Sequence, residues 1–324
     1  MKKILVLHTG GTIAMAEDSE TGAVSTKQSN PLLDVVNNFE QDIELIVEDF
    51  FYVPSPHITP GHMLALKKRI QEGVLEGIDG VVITHGTDTL EETAYFLDIT
   101  VGHLLPIVVT GAMRSSNEIG SDGLYNFLTA IRVAANEESV DKGALVVMND
   151  EIHTARYVTK THTTNVATFR TPTFGPIGLV NKHIVSFYQQ LITNHTIDVT
   201  SINGQIPIVT AYAGMGSDIL DLLTTSKIDG LVIEALGAGN LPPQTLPAID
   251  NLIANNIPVV LVSRCFNGVA EGVYGYEGGG AQLEKKGVLF CNGLNSQKAR
   301  IKLLVALNAN LSKQELDDFM IEKV

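Results

Sequence analysis

The chain lacks tryptophan and has only two cysteines among its 324 residues. Cys265 and Cys291 stand at the ends of apolar runs, a placement that fits small buried hydrophobic side chains better than a structural disulfide. No apolar stretch approaches the roughly 18 residues that a membrane-spanning helix needs. The first apolar run ends at His8 without a small-residue cleavage site behind it, so no signal peptide is expected. These absences predict a soluble, cytoplasmic protein.

Basic residues are also scarce. The chain has 22 lysines and arginines against 36 aspartates and glutamates, which gives a formal net charge of −14 at pH 7. Such a surface repels phosphate backbones and anionic lipids, so neither nucleic acid nor a membrane is expected as a partner. The composition therefore favours a small-molecule partner.

Several motifs that would identify a chemistry are missing as well. The sequence contains no G-x-G-x-x-G, no P-loop, no G-x-S-x-G and no H-E-x-x-H, which removes the main support for dinucleotide, nucleoside triphosphate, esterase and zinc protease chemistry. The nine histidines are scattered along the chain. Neither a metal site nor a cofactor is therefore expected.

What the chain does contain is a regular alternation of short β-branched runs with helical patterns, which is typical of βαβ units around a parallel sheet. Its length and its 44% of hydrophobic residues are enough for two cores. A polar stretch after Phe187 interrupts the alternation. We predict a larger N-terminal α/β domain over residues 1–190, with a mostly parallel sheet and flanking helices. A linker over 191–206 and a smaller, Rossmann-like α/β domain over 207–324 follow it.

Local signals also predict where three helices of the first domain begin. Thr59 is suited to the N-cap of one helix, because Pro60 follows at the first helical position. A second helix is expected at Thr89, where Thr89-Leu90-Glu91-Glu92 has the spacing of a capping box. A third should follow Asp122-Gly123.

Hydroxyl side chains and glycines follow three of the predicted strands. The segments are Thr9-Gly10-Gly11-Thr12, Thr84-His85-Gly86-Thr87-Asp88-Thr89 and Thr110-Gly111-Ala112. Ligands of an open parallel sheet bind beyond the carboxyl ends of its strands, so these segments should share one cleft. Threonine and glycine also commonly mark strand ends without any function. Repetition at three strands, with Asp88 adjacent, favours a functional site.

A threonine in such a cleft could act as a nucleophile if a base and oxyanion donors lie near it. The glycines at 10 and 11 let backbone amides approach a ligand, and the helix that follows Thr87 offers unpaired N–H groups. Lys160 could act as the base if it is desolvated, as in Ser-Lys hydrolases. A lysine in a polar loop is more often only a solvated charge, so these residues alone do not select it.

Two of these segments resemble the signature segments of the bacterial-type L-asparaginases, the asparaginase/glutaminase family. They are Thr9-Gly10-Gly11-Thr12-Ile13-Ala14 and His85-Gly86-Thr87-Asp88-Thr89. The similarity spans nearly the whole chain, because it continues through Gly111-Ala112-Met113-Arg114, Ser121-Asp122-Gly123, Val158-Thr159-Lys160-Thr161-His162-Thr163-Thr164 and Leu294-Asn295-Ser296-Gln297-Lys298-Ala299-Arg300.

The resemblance implies an amidohydrolase of asparagine catabolism, in which asparagine and water give aspartate and ammonia through a covalent acyl-enzyme on a threonine. Thr12 would be the nucleophile. Thr87 would form a second set with Lys160 and Asp88, which activates water or polarises the attacked carbonyl. Family members are homotetramers built from intimate dimers, so a homotetramer or dimer with its sites at subunit interfaces is implied here.

The same resemblance implies the substrate contacts. Asp88 would hold the α-ammonium group and Ser55 the α-carboxylate, while Gly11 would contribute backbone to the site. The carbonyl of Ala112 would accept a hydrogen bond from the side-chain amide of the substrate. The smaller domain of a neighbouring subunit would bring Asn240 to the site.

Two departures from the family pattern stand out. The family usually has a tyrosine in the loop after the first signature, but none occurs between Thr12 and Phe51. Residues on the neighbouring subunit could partner Thr12 instead, and four positions stay open for this role: Glu271, Tyr274, Tyr276 and Glu277. Pro56 stands at a substrate-binding position where the family often has a glutamine. The segment Ala14 to Asn30 is expected to close over the cleft.

Other functions remain possible on the same fold. A glutaminase-asparaginase of broad specificity would differ only in how the pocket treats one methylene group. A non-catalytic amino-acid-binding sensor would explain the missing tyrosine. The amidase subunit of a tRNA-dependent amidotransferase is disfavoured, because the net charge is strongly negative.

Overall fold

The computed structural model describes residues 1–17, 24–26, 42–191 and 195–322. The chain divides into two compact units, Met1–Asp198 and Val199–Val324. The first contains a mostly parallel sheet of eight strands and the second a parallel sheet of four. This confirms the predicted fold class, while the bounds proposed for the domains and their linker stay a prediction.

The first unit contains twelve described strands, which alternate with helices from β4 to β7. They are β1 Lys2–His8, β2 Met15–Glu17, β3 Val24–Thr26, β4 Ile43–Asp49, β5 Gly80–Thr84, β6 Ile107–Thr110, β7 Ala144–Met148, β8 Glu151–Thr154, β9 Thr159–Lys160, β10 Phe169–Arg170, β11 Gly178–Asn181 and β12 Ile184–Phe187. The described helices of this unit are α1 Pro60–Leu75, α2 Leu90–Val101 and α3 Gly123–Ala135.

The large sheet has the order β12-β11-β8-β7-β6-β5-β1-β4. Strands β4, β1, β5, β6 and β7 are parallel, and β8, β11 and β12 extend the sheet in antiparallel pairs. Strands β1, β5, β6 and β7 are buried over almost their whole length, which explains their continuous apolar runs. The order reverses around β1, because β4 pairs on one side of it and β5 on the other. Such a switch point opens a crevice at the carboxyl ends of the strands.

All three helices predicted for this unit are confirmed. Thr59 precedes α1, and its backbone N–H donates to Nδ1 of His62 at 3.1 Å. The helix predicted at Thr89 is α2, but the Thr89 side chain makes no capping hydrogen bond. Its Oγ1 donates to the carbonyl of Ser55 at 2.8 Å instead. A long-range contact has therefore replaced the predicted local one.

Two short antiparallel hairpins lie outside the large sheet, β2 with β3 and β9 with β10. The first falls in the segment that we expect to close over the cleft. Residues 18–23 and 27–30 of that segment lie outside the described residues, so the expected closure stays a prediction.

The second unit repeats the βαβ pattern on a smaller scale. Its sheet has the order β13-β14-β15-β16 and is parallel throughout. The elements are β13 Ile208–Thr210, α4 Asp218–Thr225, β14 Leu231–Ala235, α5 Leu246–Ala254, β15 Val259–Ser263, α6 Gly280–Lys286, β16 Leu289–Phe290, α7 Ser296–Asn308 and α8 Lys313–Met320. No helix in the described part of the chain combines the length and apolar character needed to cross a membrane.

Both cysteines are free, as predicted. Cys291 is buried, but the expectation that Cys265 is buried is wrong, because its side chain is exposed. The apolar run that precedes Cys265 is β15, and this strand ends two residues before it, at Ser263. Cys265 therefore lies in the loop beyond the strand, where its N–H donates to Oγ of Ser263 at 2.9 Å.

Candidate active site

The three hydroxyl- and glycine-rich segments begin side by side at the carboxyl edge of the large sheet. His8, the last residue of β1, pairs with Thr84 of β5, and Thr84 pairs with Thr110 of β6. Each segment therefore leaves the sheet at the same level. This edge lies at the switch point of the sheet, where a ligand crevice is expected.

Buried hydrogen bonds join the ends of β1 and β5. Nδ1 of His8 lies 2.7 Å from Oγ1 of Thr84, and the hydroxyl of Thr9 donates to the Thr84 carbonyl at 2.9 Å. Burial lowers the pKa of His8 to about 4, against the opposing charge of Asp49. The ring is thus neutral at pH 7, and the floor of the candidate site carries no charge there.

Two glycines bring the first and second segments into direct contact. Gly11 has a φ of 82°, and a Cβ at this position would overlap the backbone N and Cα of Gly86. A Cβ at Gly86 would in turn lie 2.7 Å from Cβ of Ser55. Thr12 and Thr87 are the residues that directly follow these glycines. The packing of Gly11 against Gly86 therefore brings the two threonine-bearing turns together.

Replacing Gly11 with alanine should destabilise this arrangement. The new Cβ would meet backbone atoms, which cannot rotate away, in a conformation that side chains rarely adopt. We expect a loss of about 1–3 kcal/mol in the free energy of unfolding, together with a large loss of activity. Urea denaturation measures the first quantity. Gly77→Ala is the matched control, since Gly77 also has a positive φ of 78° but no atom within 4 Å of an added Cβ.

Lys160 reaches the second segment from the β9–β10 hairpin. Its Nζ donates to Oγ1 of Thr87 at 2.9 Å and to Oδ1 of Asp88 at 2.8 Å. The Thr87 side chain is buried, whereas that of Asp88 is 57% exposed. The structure thus brings together three of the predicted catalytic residues, although Lys160 is separated from Thr87 by 73 positions in the chain.

The charge of Lys160 keeps Asp88 ionised. The hydrogen bond from Lys160 is the main reason that the pKa of the Asp88 carboxyl lies below its ordinary value, while partial burial of Asp88 acts to raise that pKa. Asp88 therefore carries a negative charge at neutral pH, as a ligand for an ammonium group must.

Ser55 lies beneath Asp88 in a short 3-10 turn, Ser55–His57. Its side chain is buried, and its Oγ accepts a hydrogen bond from the backbone N–H of Asp88 at 3.2 Å. Pro56, the next residue, is exposed. The close packing of Ser55 on Gly86 places its hydroxyl beside the second segment.

Ala112 belongs to the turn that follows β6, and Asp122 fixes the shape of that turn. The carboxylate of Asp122 accepts hydrogen bonds from the backbone N–H groups of Met113 and Arg114, both at 3.0 Å. Asn126 donates to the carbonyl of Gly111 at 3.0 Å. The turn at Ala112 is thus held to the start of α3.

Sequence reasoning gave no role to His85, which the structure places in full burial under the second segment. Burial lowers its pKa to about 4, so the ring is neutral at pH 7. Nδ1 lies 2.7 Å from the Gly86 carbonyl, which can only accept, so Nδ1 carries the proton. Nε2 lies 2.9 Å from the hydroxyl of Thr93 on α2. His85 therefore orients the turn that carries Thr87, and only its place within the motif signalled this in the sequence.

The remaining predicted residues lie in the second unit. Asn240 follows β14, and its Oδ1 accepts a hydrogen bond from the N–H of Gly280 at 3.2 Å. Tyr274 and Tyr276 are exposed, with their ring centroids 5.5 Å apart. Glu271 and Glu277 are exposed in the same segment. The contribution of these residues to a site on a neighbouring subunit stays a prediction.

No three histidine, cysteine, aspartate or glutamate side chains in the described part of the chain are grouped so that they could hold a metal ion.

Comparison with known proteins covers both units. The family model for the N-terminal domain of asparaginase matches residues 3–193, and that for the glutaminase/asparaginase C-terminal domain matches residues 205–320. The chain is 40% identical to a probable L-asparaginase of Deinococcus radiodurans, over 98% of this chain and 96% of that protein. It is 34% identical to an L-asparaginase of Bacillus licheniformis, over 94% and 95% respectively. The crystal structure of a probable cytoplasmic L-asparaginase from Campylobacter jejuni is similar over 100% of both chains, with a TM-score of 0.86 and 33% identity.

Proposed function

This chain belongs to the asparaginase family and hydrolyses L-asparagine to L-aspartate and ammonia, and we propose that the reaction passes through an acyl-enzyme on Thr12. The observation that carries the proposal is the packing of Gly11, the residue before Thr12, on Gly86, the residue before Thr87. This packing places the Thr12 turn beside the Thr87 hydroxyl and the Asp88 carboxylate, which both accept hydrogen bonds from Lys160 Nζ. The Lys160 side chain is only 18% exposed. Burial of an ammonium group is unfavourable unless the group is paired, so its pairing with Asp88 and Thr87 indicates a specific role.

The proposed reaction divides into two steps. Thr12 Oγ1 attacks the side-chain carbonyl carbon of asparagine, and ammonia leaves as the ester forms. Water then attacks the ester carbonyl and releases aspartate, which restores the Thr12 hydroxyl. Thr87, held by Lys160, activates this water or polarises the carbonyl. The residue that accepts the Thr12 proton stays open among the residues that the neighbouring subunit would supply.

The substrate contacts follow from the charges in the cleft. Asp88 is ionised and more than half exposed, so its carboxylate can pair with the α-ammonium group of asparagine. The oxygen of Ser55 already accepts the N–H of Asp88, which leaves its own proton to donate to the α-carboxylate. Ala112 would offer its carbonyl to the side-chain amide, and Gly11 its backbone.

Replacing Ser55 with alanine is expected to raise KM for asparagine about tenfold or more, because a hydrogen bond to a charged group contributes about 1.5–3 kcal/mol. The contact is made equally before and during the reaction, so kcat should change much less. Steady-state kinetics of ammonia release measure both. Ser139→Ala is the matched control, since Ser139 is also buried but donates to Val133 at the end of α3. A lower kcat at unchanged KM would contradict the assignment of Ser55.

The acyl-enzyme itself can be trapped. The enzyme is mixed with asparagine, quenched in acid within milliseconds, digested and analysed by mass spectrometry. The proposal expects an aspartyl ester on the peptide that contains Thr12, absent from the wild-type enzyme quenched without asparagine and from Thr12→Ala quenched with it. An adduct on Thr87, with none on the peptide that contains Thr12, would reject Thr12 as the nucleophile. Binding of asparagine without turnover would instead support the non-catalytic sensor.

We propose further that the protein assembles as a homotetramer or dimer, in which the second unit of one subunit brings Asn240 to the site of another. The exposed tyrosines at 274 and 276 support an interface on that unit. The proposed location is the cytoplasm, which is the location given for the Campylobacter jejuni protein. Sedimentation equilibrium tests the assembly, and a monomer with full activity would exclude it.

A further inference from the structure

The lysine of the candidate site stands on an arm that leaves the large sheet and returns to it. We use "Lys160 arm" for residues 158–171, which contain β9, β10 and the loop between them. Two residue pairs join β9 to β10, with Lys160 opposite Phe169 and Thr159 opposite Arg170. Next to them, the N–H of Thr161 donates to the carbonyl of Thr168 at 2.9 Å. So short a ladder does not hold a side chain in place by itself.

Arg170 fastens the arm to the sheet at one point. Its Nη1 donates to both carboxylate oxygens of Glu151, at 2.7 and 2.8 Å. Its Nε donates to the carbonyl of Ala167 at 2.9 Å, which ties in the loop of the arm. Glu151 begins β8, and there it pairs with Met148 of β7 and Leu179 of β11. The arm is therefore anchored on a strand that is fixed on both sides.

His153 forms a second anchor, two residues further along β8. Its side chain is fully buried, and Nδ1 lies 3.1 Å from Oγ1 of Thr171, the last residue of the arm. Nε2 lies 3.2 Å from Oε2 of Glu151. His153 and then Arg170 hold the pKa of Glu151 below its ordinary value, against partial burial, so the carboxylate stays charged for both partners.

These anchors act on the residue that stands next to the catalytic lysine. Arg170 is directly opposite Thr159, so a movement of Arg170 is transmitted to the neighbouring Lys160 through the β9–β10 ladder. A displacement of about 1 Å in a catalytic group can cost roughly a hundredfold in rate. The hydrogen bonds from Lys160 Nζ to Thr87 and Asp88 are 2.9 and 2.8 Å long. A shift of about 1 Å away from these partners would lengthen both beyond hydrogen-bonding distance.

We propose that Arg170, held by Glu151 of β8 while His153 of the same strand anchors the adjacent Thr171, is a positioning residue that places Lys160 Nζ on Thr87 and Asp88. The inference rests on the role proposed above for Lys160. The inference gives the antiparallel part of the sheet an indirect role in the reaction. No residue of β8 belongs to the three hydroxyl- and glycine-rich segments that follow β1, β5 and β6.

The test is a double-mutant cycle on the full-length enzyme with Arg170→Met and Lys160→Met. Arg170→Met keeps an unbranched stem but loses the charge and the donors. We expect it to lower kcat by about 10- to 100-fold, and to add less than twofold in the Lys160→Met background, because the group that it positions is already gone. Arg170→Lys should recover part of the loss, since an ammonium group can still reach Glu151 but cannot also hold Ala167.

The matched control is Arg69→Met. Arg69 makes an equally short ion pair with Glu48, 2.7 Å from Nη2 to Oε1, but it lies on α1. Both variants are expected to lower the melting temperature, and only Arg170→Met should lower kcat. If Arg170→Met does not fold, as judged by circular dichroism, then Glu151→Gln replaces it in the same cycle, with the same expected coupling.

The outcomes separate the inference from the function on which it rests. If Lys160→Met keeps full activity, the role of Lys160 is wrong. If Lys160→Met is inactive and Arg170→Met keeps the kcat of the wild type, only the positioning role is wrong. Equal losses from Arg170→Met with and without Lys160 would also overturn it, because they would show a structural effect that does not pass through the lysine.

Discussion

Replacing Thr12 with alanine is expected to lower kcat for ammonia release from asparagine by about 10⁴-fold or more. Loss of the attacking atom removes the covalent route altogether, and knockouts of nucleophiles in hydrolases that use an acyl-enzyme have effects of roughly 10⁶-fold. The fold should not change, because Thr12 is only half-buried and stands in a 3-10 turn beyond the end of β1. Coupled detection of ammonia measures the loss, and circular dichroism measures the fold.

Thr12→Ser is the matched control for this variant. It keeps a hydroxyl on the same Cβ and should retain activity within about tenfold to a hundredfold, a small loss beside that of the alanine variant. Activity of Thr12→Ala within tenfold of the wild type would remove Thr12 from the mechanism. Equal losses of kcat in Thr12→Ser and Thr12→Ala would also argue against Thr12 as the nucleophile, because the serine variant keeps the attacking hydroxyl.

Replacing Thr87 with valine is expected to lower kcat by about 10³-fold. Valine has the shape of threonine but lacks the oxygen that accepts the Lys160 N–H at 2.9 Å. Loss of a positioned acid-base group typically costs about 10²- to 10⁴-fold. The substitution should also leave Lys160 with a single partner, Asp88. Binding of asparagine, which Asp88 and Ser55 carry in our proposal, should persist, so calorimetry on this variant should show binding without turnover.

Thr100→Val is the control for the loss of a buried threonine hydroxyl. Thr100 stands in the last turn of α2, and its hydroxyl donates to the Phe96 carbonyl at 2.7 Å. The control should lose about 1 kcal/mol of stability and no activity. If Thr87→Val keeps more than a tenth of the wild-type kcat, then Thr87 contributes packing and not chemistry, and the pairing of Lys160 with Asp88 needs another explanation.

Much of the fold followed from patterns within short stretches of sequence. The continuous apolar runs at the start of the chain and before Thr84 and Thr110 predicted β1, β5 and β6, because parallel strands are buried on both faces. Proline after Thr59 predicted the start of α1. The polar residues beyond the strands were also correctly expected at one edge of one sheet, since parallel strands in a βαβ fold all end on the same side.

The parts of the site that local patterns missed depend on contacts between distant segments. Thr89 has the spacing of a capping box, but its hydroxyl bonds to Ser55, which α1 separates from it in the chain. His85 orients its turn through the hydroxyl of Thr93, which lies eight residues further along the chain, on α2. The residues around Lys160 did not distinguish it from a solvated lysine, and only the family resemblance implied a role for it. The structure places its Nζ on Thr87 and Asp88.

The sequence by itself determined the class of fold, the segments that are proposed to carry the chemistry and the family to which they are similar. These properties depend on the types of side chain and on their spacing within short stretches of the chain, and neither depends on how the strands pair. Only the tertiary structure decided which groups meet: Gly11 against Gly86, Ser55 under Asp88, and the Lys160 arm on β8. The physical reason is that strand order and turn geometry set these distances, and both are fixed by the packing of the whole sheet and not by any one segment of it.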